Sequence, residues 1–159
     1  MPKKIDSTDL RILDLLQRDA SLASAEIASR VGLSPSPCWR RIQRLEREGV
    51  IRARVALLDP EALGFGVVVF ASVKLSAHGR QALPQFEAAV KEYAQVMECY
   101  TVAGEVDFLL RVATHDMHSY ERFLRDDLLQ LPSVAEVHSL IAITQVKYTT
   151  AVPLEVPSD

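Results

Sequence analysis

Between positions 36 and 47 the chain concentrates Ser36, Arg40, Arg41, Gln43, Arg44 and Arg47, with Trp39 among them. Guanidinium groups pair with guanine edges and phosphates, a glutamine amide with adenine, and a helix N-terminus with phosphate. Such a set is useful only if one element presents it on one side. A second candidate is His115-x-x-His118 with Asp116, which has the residue types of a metal site. No further ligand stands at a suitable spacing, and capping and surface roles account for the three, so no metal or other cofactor is expected. The chain has no nucleophile elbow, phosphate-binding glycine loop or paired-carboxylate motif, so no enzymatic activity is expected.

The arginines need a helix, and the first 58 residues supply three. Asp6 is placed as an N-cap with Asp9 at the N3 position, and Ile5 and Leu10 flank them as a hydrophobic staple. Leu10, Ile12, Leu13 and Leu16 then form an apolar face that ends near Asp19. A short helix from about Ser24 carries Ile27, Ala28 and Val31 inward and stops at Gly32. Ser34-Pro35-Ser36-Pro37 opens the third helix, read as 36–48 with Ser36 as its cap and Pro37 in its first position. At about 100° per residue, Cys38, Ile42 and Leu45 share one face of that helix. Ser36, Arg40, Gln43, Arg44 and Arg47 share the other, with Trp39 and Arg41 on the flanks. Short helix, glycine turn and basic third helix together predict a DNA-reading helix-turn-helix, with Ser34 at its start. Residues 50–57 alternate as a strand whose Arg52 and Arg54 could rest on phosphates.

Charge divides the chain in the same place. The net charge is −3, yet residues 1–58 hold eleven Lys or Arg against seven Asp or Glu. The remainder holds seven basic and fourteen acidic residues, so only the first part suits a polyanion. A linker is expected at 59–66 and a second domain at 67–159. No apolar stretch is long enough to span a membrane and the first residues lack a signal-peptide core, so the cytoplasm is the expected location. Cys38 is read as core rather than as a redox sensor, and the two cysteines suggest no disulfide framework.

The second domain reads as strand 67–75, helix 80–93, strands 96–102 and 108–113, a helix lined by Met117, Tyr120, Leu124 and Leu128, and strand 134–146. That order, β-α-β-β-α-β, predicts a ferredoxin-like sensor in an α+β protein. One sheet face then needs a partner, and Val67 and Val69 are expected to feed it in a homodimer.

Several stretches carry a family resemblance over essentially the whole chain. They are Asp6-x-x-Asp9-x-x-Ile12-Leu13, Ala28-x-x-Val31-Gly32-Leu33-Ser34, Arg40-Arg41-Ile42-x-x-Leu45-Glu46-x-x-Gly49-Val50-Ile51 and Ala103-Gly104-x-x-Asp107-Phe108-Leu109-Leu110. Together they resemble the leucine-responsive and asparagine-operon regulators (Lrp/AsnC). The resemblance implies a winged helix-turn-helix followed by a sensor domain, dimers assembling to octamers, a roughly palindromic operator in double-stranded DNA, and an amino acid as effector. Gly104 and Asp107 match the family's effector loop, which Tyr100 and Val102 precede. Met117, Leu140, Ile141 and Ala142 match effector-response positions of leucine-responsive relatives. Chemically, backbone N–H groups beside Gly104 could hold a carboxylate and Asp107 an ammonium. The same pair also fits a hairpin turn in which Asp caps backbone. A module that senses an amino acid and regulates an enzyme directly would explain residues 67–146, but not the arginine face.

Overall fold

The computed structural model describes residues 5–76 and 83–156. Two compact units divide the chain, Met1–Leu57 together with Lys147–Asp159, and Leu58–Val146. The end of the chain was expected to belong with the sensor and instead groups with the helical unit. There the Gln17 side-chain amide donates to the Val152 carbonyl at 3.1 Å and accepts from its N–H at 2.9 Å, satisfying that peptide as a strand neighbour would.

In the first unit α1 (Ser7–Arg18), α2 (Ser24–Arg30) and α3 (Pro35–Arg47) enclose a core of Ile12, Leu16, Ile27, Ala28, Val31, Cys38, Ile42 and Leu45. The predicted capping box starts α1: the Asp9 N–H donates to Asp6 Oδ1 at 2.8 Å and the Asp6 N–H to Asp9 Oδ2 at 3.1 Å. Helix α2 ends where Gly32 takes φ +70° and the Leu33 N–H returns to the Ala28 carbonyl at 2.9 Å. The same closure, with the Val50 N–H on the Leu45 carbonyl at 2.9 Å, ends α3.

Two expectations for this unit change. Helix α3 begins at Pro35 with Ser34 as N-cap, not at Pro37 with Ser36. Both prolines fit because every N–H of a first turn lacks a helical partner. Residues 50–57 form no strand. A strand needs a neighbouring ladder as well as alternation, and within the described residues none lies beside them.

In the second unit β1 (Val67–Leu75), β2 (Val96–Thr101), β3 (Phe108–Thr114) and β4 (Val134–Ile141) form an antiparallel sheet in the order β2-β3-β1-β4. This is the split order expected of the ferredoxin-like arrangement. Helix α4 (Leu83–Glu92) joins β1 to β2, with Pro84 in its first turn where it is tolerated. The start expected at 80–82 lies outside the described residues. Helix α5 (Met117–Arg122) widens over Phe123–Asp127 into a π-helical turn and tightens over Leu128–Gln130 into a 3₁₀ turn. Strand β4 stops at Ile141, short of the expected Val146, after a last bond from the Ala142 N–H to the Val68 carbonyl at 2.9 Å.

Alternation assigns the sheet faces. Val69, Ala71, Val73 and Leu75 are buried with Phe108, Leu110, Val112, Phe86, Val90, Tyr120, Phe123 and Leu128. Val67 packs against this core. The expectation that Val67 and Val69 feed the uncovered face is therefore wrong by one residue of register, which in a strand exchanges the faces. Phe70 lies on the uncovered side, paired with Leu140 and Arg111.

Candidate DNA-binding surface and effector loop

Helix α3 is anchored by its Cys38, Ile42 and Leu45 stripe, so its remaining positions are fixed in direction. Ser34, Ser36, Arg40, Gln43 and Arg47 are exposed, and Trp39 is 53% exposed on one flank. Arg40, Arg47 and Arg52 form no ion pair with any described residue. Gln43 donates to Glu46 Oε2 at 2.9 Å, and Arg54 Nη2 meets Glu46 Oε1 at 2.8 Å. Glu46 thus tethers Arg54 to α3, whereas Arg52 stands clear.

The other two arginines turn away from this surface. Arg41 Nη1 lies 2.6 Å from Asp6 Oδ2 and 2.8 Å from Asp9 Oδ1, and Arg44 Nη2 donates to Asp9 Oδ2. The expectation that Arg44 shares the outward face with Arg40 is corrected accordingly. Its Cα sits on the flank beside α1, and a long side chain settles on the nearest desolvated carboxylate. Asp9 has no exposed surface at all. Sequence reasoning gave it only a capping role, although one signal was present. Asp9 stands three residues before Ile12 and seven before Leu16, on the inward stripe of α1, and an inward carboxylate needs a cation. The Asp9 N–H and the Arg41 guanidinium hold the Asp6 carboxyl below its usual range, and Arg41 is held correspondingly more basic. Cys38 is buried, and that burial pushes its thiol up, away from thiolate chemistry.

The loop between β2 and β3 is tied to the sheet by Asp107. Its Oδ2 accepts the Leu75 N–H at 2.7 Å, its N–H donates to the Val73 carbonyl at 2.9 Å, and its carbonyl accepts the Val102 N–H at 3.0 Å. Gly104 has nothing within 4 Å of the place a Cβ would occupy. Tyr100, 56% exposed, donates from its hydroxyl to Glu98 Oε2 at 2.9 Å, and Arg111 Nε meets Glu98 Oε1 at 2.8 Å. The eight expected effector residues do not gather at one point. Val102, Gly104 and Asp107 sit where β3 begins, opposite Val73. Met117, Ile141 and Ala142 sit where β3 has ended, opposite Val67–Val69, with Leu140 one step inward. Six strand steps of about 3.3 Å separate the two ends.

The histidine cluster is otherwise engaged. His115 Nδ1 contacts the Gly64 carbonyl at 2.9 Å and its ring stacks on Phe65. Asp116 caps α5 through the Ser119 N–H at 2.6 Å, and His118 lies 3.5 Å from Glu121. Among the described residues no three His, Cys, Asp or Glu side chains group as metal ligands.

Residues 5–52 match the winged helix-turn-helix DNA-binding domain, and residues 68–152 match the Lrp/AsnC ligand binding domain. The chain belongs to the Lrp/AsnC family. It is similar to the glutamate uptake regulatory protein of Zymomonas mobilis, with 38% identity over 159 residues, 100% of this chain and 96% of that one. It is also 38% identical over 151 residues to the DNA-binding transcriptional activator DecR of Escherichia coli, covering 95% of this chain and 99% of the other. Among solved structures, an L-Met complex of a Neisseria meningitidis transcriptional regulator superposes with a TM-score of 0.89 at 36% identity, covering 96% and 98% of the two chains. As an Lrp/AsnC protein the chain is a DNA-binding transcriptional regulator with a small-molecule-binding domain, not an enzyme. Among the described residues no helix is long and apolar enough to cross a membrane.

Proposed function

We propose that this Lrp/AsnC regulator reads double-stranded DNA in the major groove with Ser36, Arg40, Gln43 and Arg47, while Ser34, Trp39, Arg52 and Arg54 flank the duplex. The observation that carries this reading is the pair of exposed guanidinium groups, Arg40 and Arg47, beside Gln43 on the solvent side of an otherwise anchored α3. Two such helices in a homodimer imply a roughly palindromic operator, and the cytoplasm, where the genome lies, is its place of work.

The effector is an amino acid, in line with the methionine bound by the Neisseria relative. The separation of the loop from Met117 and Leu140–Ala142 favours a site completed by a second copy, one supplying Gly104 and Asp107 and the other the apolar wall. A short aliphatic or sulfur-containing side chain suits Val102, Met117, Leu140 and Ile141. Selection of duplexes from a random pool, repeated with each of the twenty amino acids, tests both halves of the reading. The expected result is one palindromic sequence whose affinity changes with one or a few amino acids. Enrichment of no sequence would overturn the DNA half. Asp107→Asn keeps the acceptor for Leu75 N–H but loses the charge, so it should fold normally and lose the thermal shift an amino acid gives the wild type. Equal shifts in both proteins would remove Asp107 from the effector site.

A further inference from the structure

We propose that Asp9, assisted by Asp6, is a positioning residue for DNA recognition. It holds Arg41 and Arg44 against α1 and so limits the free cations that α3 offers to DNA to Arg40 and Arg47. The inference rests on α3 being the reading helix.

Asp9 is wholly buried and takes three donors, the Asp6 N–H at 3.1 Å, Arg41 Nη1 at 2.8 Å and Arg44 Nη2. Asp6 takes Arg41 as well, at 2.6 Å. Both arginines keep 32% of their side-chain surface in solvent, so neither is sealed in. They leave α3 on the flank toward α1, beside the face that carries Arg40, Gln43 and Arg47. An arginine released there would find phosphate first, and phosphate contacts add affinity for every sequence alike. Paired with carboxylates, the two guanidinium groups contribute little to that term, and discrimination is left to the side chains that meet base edges. The same contacts fix the rotation of α3 relative to α1, since one carboxylate binds two successive turns of α3.

The test uses the full chain, a duplex selected from a random pool by the wild type, and a scrambled duplex of the same composition. Affinities are titrated against salt. Asp9→Asn frees Arg44 while Asp6 keeps Arg41, and should steepen the salt slope on scrambled DNA by about one. The double variant Asp6→Asn, Asp9→Asn frees both and should steepen it by about two. Asp6→Asn alone, with Arg41 still on Asp9, should keep the wild-type slope. Affinity for the selected and the scrambled duplex should rise together in Asp9→Asn with their ratio unchanged, because an added phosphate contact is sequence-independent. Arg44→Gln should leave the wild-type slope in place and lower only the thermal midpoint. Wild-type slopes in Asp9→Asn and in the double aspartate variant, with lower melting alone, would reduce the cluster to a structural tie. A slope flattened by about one in Arg44→Gln would make Arg44 a phosphate contact, contrary to the proposal. If Asp9→Asn does not fold, Arg41→Gln and Arg44→Gln decide the matter, since both should keep the wild-type slope and a flattened slope in either overturns the proposal. Failure of the reading-helix assignment shows separately, as unchanged binding by Arg40→Ala, Arg47→Ala.

Discussion

The aspartates of α1 show how one residue type serves two ends. Asp6 begins as a cap and continues as an anion for Arg41, and both interactions favour its ionised form. A folded-state carboxyl held below its unfolded value contributes stability that is fully present above the unfolded value, near pH 4, and lost as pH falls through the folded one. The stability difference between wild type and Asp6→Asn should therefore be constant above about pH 5 and shrink toward pH 2. Denaturant unfolding across that range checks it, and a difference that grows on acidification would contradict it. The cap was legible from Asp6-x-x-Asp9, because capping is local. The partnership with Arg41 and Arg44 spans more than thirty residues, and periodicity says which way a residue faces, not what it meets.

At the scale of elements, turn chemistry and helical periodicity carried furthest. Gly32 has open space around its missing side chain, so a substitution meets only the cost of positive φ. Gly32→Ala should lower stability by about 1–2 kcal/mol through the backbone alone, a loss that thermal unfolding will read. A wild-type midpoint would show that the turn relaxes. Helix α3 was foreseen with its apolar stripe correct and its start two residues late, because Ser-Pro repeats at 34–37 and either serine can precede a proline. The strand expected over 50–57 failed for a different reason. Alternation of Val50, Arg52, Arg54 and Ala56 describes a chain able to pair, and pairing also needs a neighbour. In β1 the continuous run Val67-Val68-Val69-Phe70 gives no polar–apolar contrast, so the faces were exchanged. Only the partners in β3 and β4 decide them.

For the whole molecule, the uncovered sheet face is the feature the sequence predicted in kind and misassigned in detail. Phe70, Leu140 and Tyr100 stand 39%, 66% and 56% exposed on it, with Glu98 and Arg111 paired between them. An aromatic and aliphatic patch with one internal ion pair suits association of two copies. Light scattering should give at least twice the 17.7 kDa chain mass, and Leu140→Asp should lower it while leaving thermal unfolding of the first unit unchanged. A monomeric wild type would remove the dimer, and with it the palindrome and an effector site completed by a second copy. The effector residues were the least legible part. Gly104 and Asp107 stand out in sequence, but only strand register shows that Met117 and Ile141 lie at the other end of the sheet.

DNA reading by the exposed side of α3 underlies every other part of this account, and one titration addresses it directly. Fluorescence anisotropy with a labelled duplex selected by the wild type compares that protein with Arg40→Ala, Arg47→Ala in the same salt. Each base-reading arginine is worth about 1–3 kcal/mol, so the double variant should bind at least about tenfold more weakly and distinguish selected from scrambled DNA less well. Both side chains are exposed, and folding should be untouched. Wild-type affinity and discrimination in a folded double variant would place the reading surface elsewhere and contradict the account.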